Sequence, residues 1–327
     1  MVHLTRKGFR ISALLLAGSM MTAAAQAEPV EIQVSSYNAG MSGQIWAVAL
    51  EKGFCKDLGL DLEIRSSTGG GGDIRALMAS DMPYIETGLS ATLAGIQEGF
   101  PLKIVSDNVI SVGSTVWFAD AASPVNTLQD LKGHKLSYSS PKSVTHVVNL
   151  MLLDKLGYTT DDVELVAAGS LATSLTMMEA GGLDVVTAGN QIYYAAPEGK
   201  YKLIGKVSEE LPSMTNVVGV TTDRMISERP DVIRKLIECR RSAVQFLEAN
   251  PDEAADIMAR AAQWDVDVTK RVVDDLKGGI FWNEGGFGED LQRMVDGLVM
   301  VEAIDASLDW QAAVDEQFLP DDLKSSR

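Results

Sequence analysis

The sequence predicts a two-lobed α/β protein, and three observations carry that prediction. Short apolar strands alternate with helices through the first two-thirds of the 327 residues. The alternation restarts near Ser114, which makes two βαβ-type units with largely parallel sheets. From Pro230 onward the chain is almost entirely helix-forming.

In order, residues 31–37 alternate as a strand, and 42–58 carry helical periodicity through Ile45, Trp46, Ala49 and Leu50. A second strand over 60–65 leads through Ser66-Ser67-Thr68 into four glycines, Gly69 to Gly72, before Asp73 opens a helix reaching Met78. Residues 82–86 read as strand, 90–98 as helix and 102–106 as strand. In the second unit, 115–119 is an apolar strand, and 127–131 a short helix closed by Gly133. Residues 135–139 form a strand, 143–156 a helix capped by Gly157, and 163–167 and 184–187 strands around a helix over 171–180. A strand over 216–222 follows. Pro230 stands near a helix start, where its missing N–H costs nothing. Asn250-Pro251 separates two helices, and 278–288 is the longest loop.

The first 27 residues predict export. Arg6, Lys7 and Arg10 precede an uncharged apolar run over 11–25, and Ala25-Gln26-Ala27 is a small-x-small cleavage site. The run is too short and wrongly flanked for a stop-transfer helix, so a soluble mature chain from about Glu28 is expected, in the periplasm of a Gram-negative cell. The chain carries −17, and the signal removes three of its positive charges. The acids lie in scattered pairs such as Asp161-Asp162 and Asp274-Asp275. That balance argues against nucleic acid or an anionic membrane as partner. Cys55 and Cys239 are the only cysteines. They could pair in an oxidising compartment, although a chain this large needs no staple and two buried thiols are the plainer expectation. With His134 and His146 alone after the signal, and no Cys/His cluster, neither a metal site nor a cofactor is expected.

In parallel α/β sheets, ligands meet the loops at the carboxyl ends of strands, where helix N-termini point N–H groups outward. Those loops supply Asn38, Met41 and Gln44; then Thr68 and Gly69; then Gly88, Leu89 and Ser90. The second unit supplies Ser140, Ser143, Thr145 and Asn190, and Asn216 leads back. Caps and turns use the same residue types. Two loops exceed that need. Ser66 to Asp73 holds more glycine than a turn requires, and Ser140-Pro141-Lys142-Ser143 offers a helix start with hydroxyls and one cation, suited to an anion. His146 lies one turn further on. The five tryptophans read mainly as core, with Trp117 and Tyr193 the aromatics best placed to reach a cleft. No GxxxxGK[ST], strand-borne GxGxxG, GxSxG or acid pair in a loop is present, so binding is expected rather than catalysis.

Several passages resemble one family. They are Glu51-Lys52-Gly53-Phe54, Leu58-Gly59-Leu60-Asp61-Leu62-Glu63, Ala79-Ser80-Asp81 and Glu86-Thr87-Gly88, with Leu128-Gln129-Asp130-Leu131-Lys132-Gly133-His134-Lys135-Leu136 and Gly181-Gly182-Leu183-Asp184-Val185 further on. The chain resembles the periplasmic solute-binding proteins of nitrate/sulfonate/taurine-type ABC importers over nearly all of its mature length. The resemblance implies a type II periplasmic binding protein fold, with lobe 1 over 28–113, lobe 2 over 114–216, and a mostly helical return to lobe 1 over 217–327. It implies crossings near 113–118 and 216–220, a ligand that closes the cleft, a monomer, and docking on a permease with its ATPase. Relatives often carry an acidic and aromatic pair where this chain has Asn190-Gln191-Ile192-Tyr193.

The expected ligand is a small organic anion, a sulfonate or carboxylate. Backbone and hydroxyl groups would hold its head, while Met41, Leu89 and Tyr193 line the rest. A neutral heterocycle such as a thiamine-precursor pyrimidine, stacked on Trp117 or Tyr193, is the alternative. An enzyme of the same fold, related to the thiamine-pyrimidine synthases, is disfavoured by export and scarce histidine, and a sensor domain stays open.

Overall fold

The repeated strand–helix rhythm folds into two separate sheets in the computed structural model, which describes residues 1–2, 27–37, 40–67, 69–110, 112–141, 143–169, 171–279 and 281–325. Most of the expected signal segment therefore lies outside the described residues. The chain runs β1 (Glu28–Ser35), α1 (Met41–Glu51), α2 (Phe54–Asp57), β2 (Leu60–Ser67), α3 (Gly71–Met78), β3 (Ile85–Gly88), α4 (Leu89–Gln97) and β4 (Leu102–Val109). The second unit holds β5 (Thr115–Asp120), β6 (Lys135–Tyr138), α5 (Val144–Leu156), β7 (Glu164–Ala167), α6 (Leu171–Glu179), β8 (Val185–Gly189), α7 (Asn190–Ala195), β9 (Tyr201–Lys206) and α8 (Val207–Glu210). The return comprises β10 (Val217–Thr222), α9 (Asp223–Glu228), α10 (Pro230–Ala249), α11 (Pro251–Ala262), α12 (Val266–Leu276), β11 (Trp282–Gly285) and α13 (Glu289–Met300).

The first sheet has the order β11-β4-β10-β3-β1-β2 and the second β7-β6-β8-β5-β9. They define two lobes. Strand β1 pairs in parallel with β2 and β3, and β6 with β7 and β8. Both sheets are nevertheless mixed rather than largely parallel. Strand β10 re-enters lobe 1 antiparallel between β3 and β4, and β5 enters lobe 2 antiparallel between β8 and β9. A strand arriving from the other lobe has no crossover helix to bring it in parallel.

The expected helix over 42–58 breaks at Gly53, whose φ of 76° lies in the left-handed region. The expected loop at 278–288 contains β11, because the buried Trp282 draws it against β4. Beyond α13 the chain makes turns and three short 3₁₀ segments rather than continuous helix.

One apolar cluster joins β1 and α1 to α10, α11 and α12. A second runs across both lobes, from Ile85, Leu89 and Val218 to Leu136, Val148 and Val185, with Leu291, Met294 and Leu298 of α13 in the same cluster. At Gly297 a Cβ would stand 2.6 Å from Val147 Cγ1, so this glycine lets α13 press on α5. On another side, α7 meets α12: the Tyr194 hydroxyl donates to Asp275, and the Arg271 guanidinium sits 4.3 Å from the Tyr194 ring centre. Cys55 and Cys239 form a disulfide between α2 and α10, which corrects the expectation of two free thiols. Their sequence separation of 184 residues explains why pattern alone did not reveal the pairing.

Candidate functional site

Three helix starts converge on one interlobe cavity of about 480 Å³. Lobe 1 contributes Gly69, Gly70 and Gly71 ahead of α3, and Gly88, Ser90, Ala91 and Ala94 around the start of α4. Lobe 2 contributes Ser139, Ser140, Pro141 and Ser143 ahead of α5, and Ala303 comes from the turn after α13. None of these side chains ionises. The N-caps of α3 and α4 are Gly70 and Gly88, and neither helix start has a side-chain cap. Gly70 adopts φ 75° and ψ −158°, a conformation that glycine takes readily. First-turn N–H groups left without a cap, and the positive end of each helix dipole, suit oxygen acceptors of a ligand.

The glycine loop rests on a buried polar network. The Asp73 carboxylate accepts from Gln33 Nε2 at 2.8 Å, from Thr87 Oγ1 at 2.8 Å, and from the Ser35 hydroxyl. Three donors thus satisfy a carboxylate that is almost fully enclosed. The lobe 2 wall is different. Ser143 Oγ accepts from the His146 N–H at 3.3 Å as the N-cap of α5. Thr145 Oγ1 lies within hydrogen-bonding distance of the Ser139 and Ser143 hydroxyls and accepts from the Ser139 N–H at 2.9 Å.

Of the sequence-predicted residues, Gly69, Gly88, Ser90, Ser140 and Ser143 line this cavity. Thr145 stands behind it, engaged with its neighbours. The His146 ring stacks on Tyr138 with centres 4.6 Å apart, and partial burial pushes its pKa down. Asn216 serves the crossing: its N–H donates to the Val109 carbonyl and its carbonyl accepts from Leu89 N–H. Gln44 is buried, with Nε2 donating to the Tyr37 carbonyl. Asn190 is buried at the start of α7, its N–H donating to the Ser114 carbonyl. Gln44 Oε1 and Asn190 Oδ1 have no hydrogen-bond partner among the described residues. Met41 lines a separate pocket with α7 and α12. Asn38, Thr68 and the loop cation Lys142 lie outside the described residues.

Three predicted contacts require correction. Trp117 is fully buried and donates from Nε1 to Asn149 Oδ1 at 2.9 Å, so its ring is core and cannot stack on a ligand. Leu89 is equally buried and packs in the interlobe cluster. Tyr193 does not line the glycine cavity; it packs on Phe118 and Tyr194 and borders an open pocket beside Arg271. Sequence reasoning missed Ala91, Ala94 and Ala303. The first two form a small-residue face one turn apart on α4, a signal that was present but indistinct from ordinary helix.

A second buried group lies deeper in lobe 1. Asp107 is fully buried, and the Thr215 hydroxyl donates to its Oδ2 at 2.5 Å. Burial pushes its pKa up to about 8, Asp290 adds to the rise, and Thr215 and Arg240 oppose it.

The family model described as NMT1/THI5 like matches residues 44–254. The chain belongs to the NMT1/THI5-like family. A candidate binding protein of Brucella abortus is 25% identical over 262 residues, covering 76% of both chains. A Candida albicans protein named 4-amino-5-hydroxymethyl-2-methylpyrimidine phosphate synthase is 23% identical over 219 residues, covering 62% of each. Among solved structures, the periplasmic aliphatic sulphonate binding protein SsuA of Escherichia coli matches with a TM-score of 0.73 at 15% identity, covering 88% of this chain and 92% of that one. SsuA of Xanthomonas axonopodis pv. citri, bound to MOPS, gives 0.72 at 16%, covering 90% and 100%. The desulfurization enzyme DSZB gives 0.64 at 13%, covering 89% and 97%. The chain therefore has the two-lobed periplasmic binding protein fold. The fold itself serves both binding proteins and enzymes.

Proposed function

We propose that this protein is the periplasmic substrate-binding component of an ABC importer, capturing a small organic anion between its lobes and delivering it to a membrane permease. The carrying observation is the convergence of α3, α4 and α5 on a cavity lined, among the described residues, by glycine, serine, alanine and proline without a charged side chain. Such a site holds a sulfonate or carboxylate through backbone N–H groups and hydroxyls. Sulfonate-binding fold neighbours and the binding-protein relative support the reading, and the export signal supplies the compartment. Capture is a hinge movement: the ligand contacts both walls only when the lobes close.

The test is calorimetric titration of the mature protein with alkane- and arenesulfonates, carboxylates, nitrate and pyrimidines. A true ligand at a hundredfold above its Kd adds about 2.7 kcal/mol of stability, so a thermal melt checks the same panel. Binding by one anion class, weakened by salt, supports the reading. Sulfonates and carboxylates that neither bind nor stabilise the ligand-free protein sink it.

A second reading, a neutral nitrogen heterocycle, is supported by the Candida albicans relative named a pyrimidine phosphate synthase. Salt-insensitive binding of a pyrimidine would select it. Under either binding reading the ligand is recovered chemically unchanged after prolonged incubation, whereas an enzyme would convert it.

A further inference from the structure

We propose that the contact between α7 and α12 is an interlobe latch, in which Asp275 and Arg271 of the returning chain hold Tyr194 of lobe 2 and so set how long a captured ligand stays in the cleft. This role rests on capture between the lobes, as proposed above. Tyr193 and Tyr194 are neighbours that serve different lobes. Tyr193 packs with Phe118 and Val186 in the lobe 2 cluster, whereas Tyr194 packs on the lobe 1 cluster of α1, α10, α11 and α12. The Tyr194 hydroxyl donates to Asp275, and its ring carries the Arg271 guanidinium 4.3 Å from the centre. Arg271 and Asp275 stand one turn apart on α12, so a single helix face grips both the ring and the hydroxyl. Lys206 of β9, also in lobe 2, lies 3.9 Å from the same Asp275 carboxylate. Burial, then the hydrogen bond and charge of Asp275, push the Tyr194 pKa up, so the phenol keeps the proton it donates.

The contact is built to part and re-form. Among the described residues no backbone hydrogen bond joins α7 to α12, so opening it breaks no sheet or helix pairing. Its groups are half-buried or exposed, and such pairs return to water at modest cost. Beside them a gap of about 140 Å³ remains between Met41 of α1, Ile192 of α7 and Trp264 and Val272. A permanent interior is filled to the density of an organic crystal. The contact of α13 with α5 meets that standard, since Gly297 brings the two helices closer than any Cβ would allow. The lobes are therefore pressed together at α13 and held reversibly at α7. A ligand leaves through the open state, so a contact made only on closure favours the closed state and slows escape.

Small-angle X-ray scattering of the ligand-free mature protein and stopped-flow release of benzenesulfonate test the latch. Both are measured on wild type, Tyr194→Phe, Asp275→Asn and the double variant. Each single variant is expected to enlarge the radius of gyration of the ligand-free protein. The double variant should enlarge it no more than the larger single one, because both substitutions delete the same bond. Benzenesulfonate release should quicken at least threefold while its association rate holds or rises. Far-UV circular dichroism should stay unchanged, which separates a shift in lobe arrangement from misfolding. Identical scattering from all four ligand-free proteins overturns the proposal, whether or not any ligand binds. Larger radii with unchanged benzenesulfonate release would overturn the role in retention. Variants that open in a protein whose wild type does not bind benzenesulfonate would keep the latch and count against the anion reading.

Discussion

Lobe 1 is assembled from two distant stretches of chain, whereas lobe 2 is one continuous stretch, and their interiors differ accordingly. In lobe 1 the first stretch is tied to the return by a disulfide, Cys55–Cys239, and by a buried ion pair in which Arg240 Nε donates to Glu86 Oε2 at 2.8 Å. The same carboxylate oxygen accepts from Trp46 Nε1 at 2.9 Å and Asn108 Nδ2 at 2.6 Å. Arg240 also donates to the carbonyls of Asn283 and Asn108, both at 2.6 Å. Lobe 2 uses neutral groups instead. Asn149 Oδ1 accepts from Trp117 Nε1 and Thr187 Oγ1, both at 2.9 Å, and its Nδ2 donates to the Ser137 carbonyl. A lobe closed through the whole of another lobe carries a larger loop-closure cost than one folded from adjacent segments. Its strongest ties sit where the two stretches meet.

The largest expected effect comes from breaking that ion pair. Arg240→Met leaves Glu86 charged and buried with fewer donors, a loss of about 3–5 kcal/mol. The Cys55→Ala/Cys239→Ala double variant should lose about 2–5 kcal/mol, because the bridge closes a long loop. Asn149→Leu strands one N–H and one O–H in lobe 2 and should cost about 1–3 kcal/mol. Urea unfolding of the three variants measures all of this. Losses for Asn149→Leu as large as for Arg240→Met would break the comparison.

Asp107 sharpens it through pH. Its carboxyl is held up to about 8 in the folded protein, against the ordinary 3.8. The folded state therefore keeps a proton that the unfolded chain releases across that window. The stabilisation is full below the unfolded value and is lost as pH rises through the folded one. Wild-type stability should fall from pH 5 to pH 9 relative to Asp107→Asn, by up to about 1.4 kcal/mol per pH unit within the window. Parallel profiles for the two proteins would show that Asp107 is ionised throughout.

The contrast between the lobes also marks what the sequence could disclose. Strand–helix alternation and the glycine run are local, so the two sheets and the cavity loops Gly69–Gly71, Gly88 and Ser140–Ser143 were legible. Glu86 and Arg240 were not, because each looks ordinary in its own element and the pair forms only when α10 returns beside β3. Trp117 was misread for a related reason. A strand that is apolar on both faces does not declare which face meets a cleft, and β5 is covered on both. Met41 and Trp264 share a pocket only through the docking of α12, which no local pattern announces.

The smallest stability effect carries the most information about function. Ser143 caps α5 with its own hydroxyl, so Ser143→Ala should cost about 1 kcal/mol. Gly88 offers α4 no side chain, and its φ of −62° and ψ of 136° are open to any residue. Among the described residues, a Cβ there would have only the Asn216 carbonyl oxygen nearby, at 3.9 Å. Gly88→Asp is therefore expected to fold and to gain a few tenths of a kcal/mol from the new cap. The same carboxylate would occupy the N–H groups that face the cavity and repel an incoming anion. Sulfonate or carboxylate affinity should fall at least tenfold, about 1.4 kcal/mol, while the melting temperature holds or rises. Undiminished anion affinity in a well-folded Gly88→Asp protein would mean that the start of α4 is not part of the anion site, and the neutral-heterocycle reading would take its place.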